Sequence, residues 1–256
     1  MKGPILEGIR VVELGAYLSA PIAGMLLAEQ GAEVLRIKNP NFKPYDPVLE
    51  AMLERNKTII PLNLKEENAR NQLIELLSHA DIVIENFGNA ALENLGIDLE
   101  KIRKEKNPAL IVCRILGFPD NDRRKNVKSF EAIVGMAGLM YERPLKKPML
   151  HPFPIGSVLA AIYSATSAVA LLINRVNSGK GDASEVSMLG ADLLSQVLQI
   201  LVLTGAPRQF MPLKMAGTPF MGPWECADKR WVYVHITMPS HNRIILEEFV
   251  KLGLGT

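Results

Sequence analysis

The segment IRVVELGAYLSAPIAGMLLAEQGAEVLRIKNP, residues 9–40, limits the fold more than any other stretch. A β-branched run, a loop, an apolar helical stretch and a second β-branched run follow one another. Strands joined by a helix pair in parallel through a right-handed crossover. The pattern recurs: EVLRI (33–37), DIVIENF (81–87), ALIVCRI (109–115) and ASEVSM (183–188) read as strands. Between them KEENARNQLIELLSHA (65–80) sets Ala69, Leu73, Leu76 and Leu77 on one face and acids in its first turn, as a helix lying on a sheet requires. The fold class is therefore α/β, a Rossmann-like parallel sheet flanked by helices. Its first strand-to-helix turn, ELGAYLSAPIAG, lacks the G-x-G-x-x-G spacing that lets a backbone close on a pyrophosphate.

Near Pro207 the periodicity fails. Residues 1–206 read as the large domain and the Pro- and Gly-bearing stretch 207–223 as linker. Residues 224–256 hold one strand, RWVYVHI, and one helix, NRIILEEFVKL, an incomplete second small α+β domain. Residues 155–173 carry no charge over about the length of a membrane span. Their Gly, Ala, Ser, Thr and Tyr content favours a core helix crossing closely against its neighbours, so no membrane partner is expected.

A formal net charge of +2, with 22% of residues charged, gives no reason to expect nucleic acid. Cys113 and Cys226 lack C-x-x-C spacing and are expected to be buried reduced thiols. The four histidines show no ligand spacing, so no metal is expected. The start MKGPILEGIRVVEL has no long apolar signal region, which points to a cytoplasmic protein.

In order, the pieces LEGIRVVELG…APIAGMLLAEQGAEVLRIKNP, RNKTIIPLNLKEE, ADIVIENF, LGIDLEKIRKEKNPALI, GF, NVKSFEAIVGMAGLM and INRVNSGKGDASEVSML resemble the class III CoA-transferases, the family of formyl-CoA transferase, carnitine CoA-transferase and α-methylacyl-CoA racemase. The resemblance implies coenzyme A as substrate or ligand, lying past the carboxyl ends of the strands, where open α/β sheets gather ligands. It places Lys65, Asn86, Phe87 and Lys128, with Leu18 and Asn39 in the first two strand-end loops, at the coenzyme. Cationic and amide donors suit phosphates, and an aromatic face suits adenine. Plainer readings stand beside these: Lys65 a solvated helix-start residue, Asn86 a turn residue, Phe87 core, and Lys128 part of a solvated basic loop with Arg123, Arg124 and Lys125.

The family's nucleophilic aspartate falls, by ungapped alignment from INRVNSGKG, on Ser157. Such an aspartate forms a mixed anhydride and then carries CoA as an aspartyl thioester. A serine has no carbonyl carbon for that second step. Ser157 is read as the N-cap of the following helix, with His151 the nearby candidate base. The racemase pair falls on Ser129 and Ser157, which do not titrate near neutrality. Glu131 falls where transferases keep an acid near the nucleophile, and reads equally as a surface helix residue. ENF is followed by Gly88-Asn89-Ala90 rather than Arg-Pro-Gly, and no glycine-rich flap is evident in 207–223.

Three functions stay open: a CoA- or acyl-CoA-binding degenerate paralogue, as a homodimer or beside an active paralogue; an active acyl-CoA transferase or hydrolase with changed residues; and an assembly protein without CoA.

Overall fold

The computed structural model describes residues 3–44, 46–88, 91–138, 153–197, 200, 221–235 and 239–253. The chain divides into two compact units, Met1–Gln196 and Val197–Thr256.

In the first unit β1 (Arg10–Leu14), β2 (Glu33–Lys38), β3 (Lys57–Pro61), β4 (Ile82–Glu85), β5 (Ile111–Leu116) and β6 (Ala183–Ser187) form one sheet in the order β3-β2-β1-β4-β5-β6. Every pairing is parallel. The sheet runs outward in both directions from its middle, so the β1/β4 junction is the switch point where chain crossovers change sides.

Strand side chains alternate between two cores. Val11, Ile82, Ile84, Ile111, Cys113 and Ile115 face one layer, containing α1 (Ser19–Glu29), α6 (Ile155–Ser178) and α7 (Met188–Ser195). Val12, Leu14, Val83 and Val112 face the other, with α3 (Glu67–Ser78) and α4 (Leu99–Glu105). Burial on both faces explains why these strands read as continuous apolar runs. The α3 face expected from the sequence holds, with Ala69, Leu73 and Leu77 buried. Asp46 caps α2 (Pro47–Leu53), Asp98 caps α4 and Ser187 caps α7, each side chain accepting backbone N–H groups of the first turn.

Helix α6 passes the length and apolarity test for a membrane span. Its small residues Gly156, Ala160, Ala161, Ser164, Ala165 and Ala168 are buried, and they let it lie close against α1 and β5. The opposite face leaves Ile162, Ile173 and Val176 exposed.

Beneath the β1–β3 end lies a group of buried charges. The side chains of Lys57 and Glu13 are fully buried and 2.6 Å apart. Arg36 reaches Glu13 at 3.1 Å and Glu50 at 3.0 Å, and Lys38 reaches Glu50 at 2.9 Å. Burial pushes the Glu13 carboxyl up and the Lys57 ammonium down, each opposed by the other's charge.

Three expectations need correction. Strand β3 (KTIIP) is an additional edge strand, half-exposed and ending in proline, so its apolar signal is weak. Cys113 is buried as expected, but Cys226 is exposed. In the second unit β7 (Met221–Glu225) pairs antiparallel with β8 (Trp231–His235), so this part holds two strands besides α8 (Pro239–Lys251). Strand β7 starts inside the stretch read as linker, where Gly222 and Pro223 hide the strand pattern.

Candidate functional site

Past the carboxyl ends of β1 and β4, the loop after β1 is held by one side chain. Asn86 accepts the Ala16 N–H at 3.1 Å and donates to the Ala16 carbonyl and the Ser19 hydroxyl, both at 2.9 Å. Gly15 makes that approach feasible: a Cβ there would lie 2.3 Å from the Asn86 oxygen. Asn86 is therefore more than a strand-end turn residue; it fixes the switch-point loop that contains Leu18, the half-buried residue before α1.

The fixed loop presents an aromatic ring. Tyr17 adopts the left-handed conformation, φ 63°, uncommon without glycine, and is 59% exposed. Its ring meets Phe42 and Phe130 edge to face, each at 6.2 Å between centroids. Asn39 serves this arrangement: its side chain accepts the Asn41 N–H and its carbonyl accepts the Phe42 N–H, forming the turn that carries Phe42. Phe87 is 42% exposed rather than core. Its N–H donates to Glu85, a buried carboxyl at the end of β4 that burial pushes up to about 7 despite Arg114 at 3.4 Å.

Two acids gather at the head of α6. Glu131, the first residue of α5 (Glu131–Ala137), turns its carboxylate onto it. One oxygen accepts the Gly156 N–H at 2.9 Å; the other accepts the Ser157 N–H at 3.0 Å and the Ser157 Oγ–H at 2.6 Å. This corrects the N-cap reading of Ser157. Ser157 is not the N-cap but lies inside the first turn, and its hydroxyl donates instead of accepting. The orphan N–H groups are satisfied by Glu131, whose negative charge also suits the positive end of the helix.

A second carboxyl arrives from α7. Asp192 is 1% exposed, and neither of its oxygens has a hydrogen-bond partner. It packs against Gly156, where a Cβ would lie 2.7 Å from it. Burial, then the charge of Glu131, pushes Asp192 up to about 7. The head of α6 thus gathers one carboxylate with three donors and one carboxyl with none.

A sequence profile of CoA-transferase family III matches residues 6–251. The chain belongs to this family. Among its relatives are the CoA-transferase/lyase DddD of Marinomonas sp. (strain MWYL1), 31% identical over 97% of this chain and 33% of that protein, and the succinate–glutarate CoA-transferase of Agrobacterium fabrum (strain C58 / ATCC 33970), 30% identical over 88% of this chain and 60% of that protein. The chain spans about one third to three fifths of the length of these curated relatives. Among solved structures, a CAIB/BAIF family protein from Brucella suis superposes with a TM-score of 0.78 at 23% identity, covering 99% of this chain and 71% of that one, which bears on the fold alone.

Within this family III fold the candidates fall into two groups. Asn86 and Leu18 meet at the switch-point loop, Asn39 shapes the neighbouring turn, and Glu131 binds Ser157 directly. Lys65 and Lys128 are exposed, and neither side chain has a hydrogen bond or ion pair among the described residues. In the adjacent basic run Arg124 is engaged: it holds Asp122 at 2.7 Å, drawing that carboxyl down to about 2, and lies 4.7 Å over the Phe118 ring. His151 lies outside the described residues. Sequence reasoning missed Tyr17, Phe42, Phe130, Glu85 and Asp192. Only Asp192 left a trace, as a lone acid in the apolar run MLGADLL. Among the described residues no three His, Cys, Asp or Glu side chains gather as metal ligands.

Proposed function

We propose that this chain binds CoA or an acyl-CoA across the β1/β4 switch point and does not form the aspartyl thioester by which the family's transferases carry CoA. The bond from Ser157 Oγ to Glu131 carries this reading. In it, the position aligned with the nucleophile serves as a donor to a neighbouring carboxylate and has no carboxyl carbon on which a thiolate could be carried. The switch-point loop fixed by Asn86 suits the coenzyme, and exposed Lys65 and Lys128 are free to reach phosphates. The chain then works as a degenerate member of the family, as a homodimer or beside a paralogue that keeps the aspartate.

The same 2.6 Å contact favours one second reading, acyl transfer to Ser157 with Glu131 accepting its proton. A carboxylate already sharing its oxygens with two backbone N–H groups is a poor base for an alcohol, so this reading ranks below the first. Titration of CoA by calorimetry, followed by intact-mass analysis after incubation with acyl-CoA, tests both. Binding without any mass increase supports the first reading. An added acyl group that disappears in Ser157→Ala supports the second, and an added CoA mass would overturn both.

A further inference from the structure

The three rings at the switch point have no role in the reading above. Tyr17 and Phe130 keep 59% and 51% of their surface exposed, so the cluster leaves a large apolar area in water that a bound apolar group would cover. Tyr17 also holds a backbone conformation that costs free energy in any residue but glycine. Three separate segments, the loop after β1, the turn after β2 and the entry to α5, converge to bring the rings into contact. Both contacts are edge to face, the geometry in which one ring's edge meets another's π face. Phe130 immediately precedes Glu131, which binds Ser157, so the segment that carries one of the rings also supplies the acid at the position aligned with the reacting carboxyl.

We infer that Tyr17, Phe42 and Phe130 form the seat of an apolar, preferentially aromatic acyl group on the CoA thioester this chain binds. The inference rests on the CoA reading above and adds to it the class of acyl group. Adenine is the competing occupant for an aromatic platform. The acyl group is favoured because Phe130 is joined to Glu131, and an acyl thioester meets the protein at that end.

Calorimetry on the full chain with free CoA, acetyl-CoA, succinyl-CoA and phenylacetyl-CoA tests this. Phenylacetyl-CoA is expected to bind about tenfold more tightly than acetyl-CoA. In Phe130→Ala that ratio should fall toward one. Tyr17→Gly should do the same, and because glycine accepts the left-handed backbone without strain, this variant removes the ring while favouring the native loop. Equal affinity for acetyl-CoA and phenylacetyl-CoA, or tightest binding of succinyl-CoA, would overturn the seat while leaving the CoA reading intact. A Tyr17→Gly protein that loses affinity equally for free CoA and every thioester would assign the rings to adenine and overturn it too. Binding of none of the four would end both readings.

Discussion

One oxygen of Glu131 accepts both the backbone N–H and the hydroxyl of Ser157, at 3.0 and 2.6 Å, so that α6 is capped by a side chain from a different helix. The bond ties the start of the longest core helix to α5, and it makes Ser157 a structural partner of Glu131 whatever chemistry the pair performs.

Removing that cap should be costly. Glu131→Ala leaves the Gly156 and Ser157 N–H groups and the Ser157 hydroxyl without their acceptor, and is expected to lose about 2–3 kcal/mol in urea denaturation. Glu131→Gln keeps one carbonyl acceptor and should lose about half as much. Equal stability of Glu131→Ala and the parent would show that the cap contributes nothing.

Asp192 makes stability depend on pH. Its carboxyl rises from the ordinary Asp range to about 7 on folding. Between about 4 and 7 the folded chain therefore holds a proton the unfolded chain has lost, and stability falls as pH rises through that interval. Glu85, also raised to about 7, acts in the same direction. Asp192→Asn cannot ionise, so its denaturation midpoint should vary less between pH 5 and pH 8 and exceed the parent's at pH 8. A parallel pH profile for the two proteins would contradict this.

Restoring the aligned carboxyl meets the same obstacle. Ser157→Asp would set a third acid beside Glu131 and Asp192, without the hydroxyl donor. Its melting temperature should fall further below the parent's at pH 8 than at pH 5.5, where protonation relieves the repulsion. A deficit independent of pH would point to steric misfit instead.

Asn86 can be tested through its three bonds to the switch-point loop. Asn86→Ala should lose about 2–3 kcal/mol. Asn86→Asp sets a carboxylate oxygen against the Ala16 carbonyl, while the Ser19 hydroxyl can turn to donate to it, so it should still lose stability despite its similar shape. Hydrogen exchange at Ala16 would report the loosened loop directly.

The buried pair Lys57–Glu13 offers a stability test remote from the site. Lys57→Met removes the nearer of the two cations that Glu13 faces, leaving only Arg36 at 3.1 Å, and should lose about 3 kcal/mol. Adding Glu13→Gln should recover part of that loss. Simple additivity of the two changes would show that the charges do not couple.

The sheet was legible because β1, β4 and β5 are buried by helical layers on both faces, which demands near-continuous apolar runs, and the β-branched residues of β2 and of the partly exposed edge strand β6 extend the same alternation with helices. Edge strand β3 was not, since a half-solvated strand ending in proline does not need such a run. The site was readable through the resemblance: it singled out Ser157 and Glu131, which are hydrogen-bonded, and Asn86 and Leu18, which share the loop after β1. The roles of Ser157 and Glu131 as donor and cap were not readable, because a cap supplied from 26 residues away leaves no local spacing. Tyr17, Phe42 and Phe130 meet through tertiary convergence and have no common sequence signature. Cys226 misled for a related reason: an apolar-looking neighbourhood in a small hairpin carries no guarantee of a core over it.

At Gly15 and Gly156 the chain has no space for even a methyl group, because Asn86 and Asp192 already fill it. A saturation scan should find both positions nearly intolerant of replacement, although neither glycine has a positive φ to account for it. Those two hydrogens leave the room that the Asn86 amide and the Asp192 carboxyl occupy, and any redesign of the site's chemistry must begin by leaving them alone.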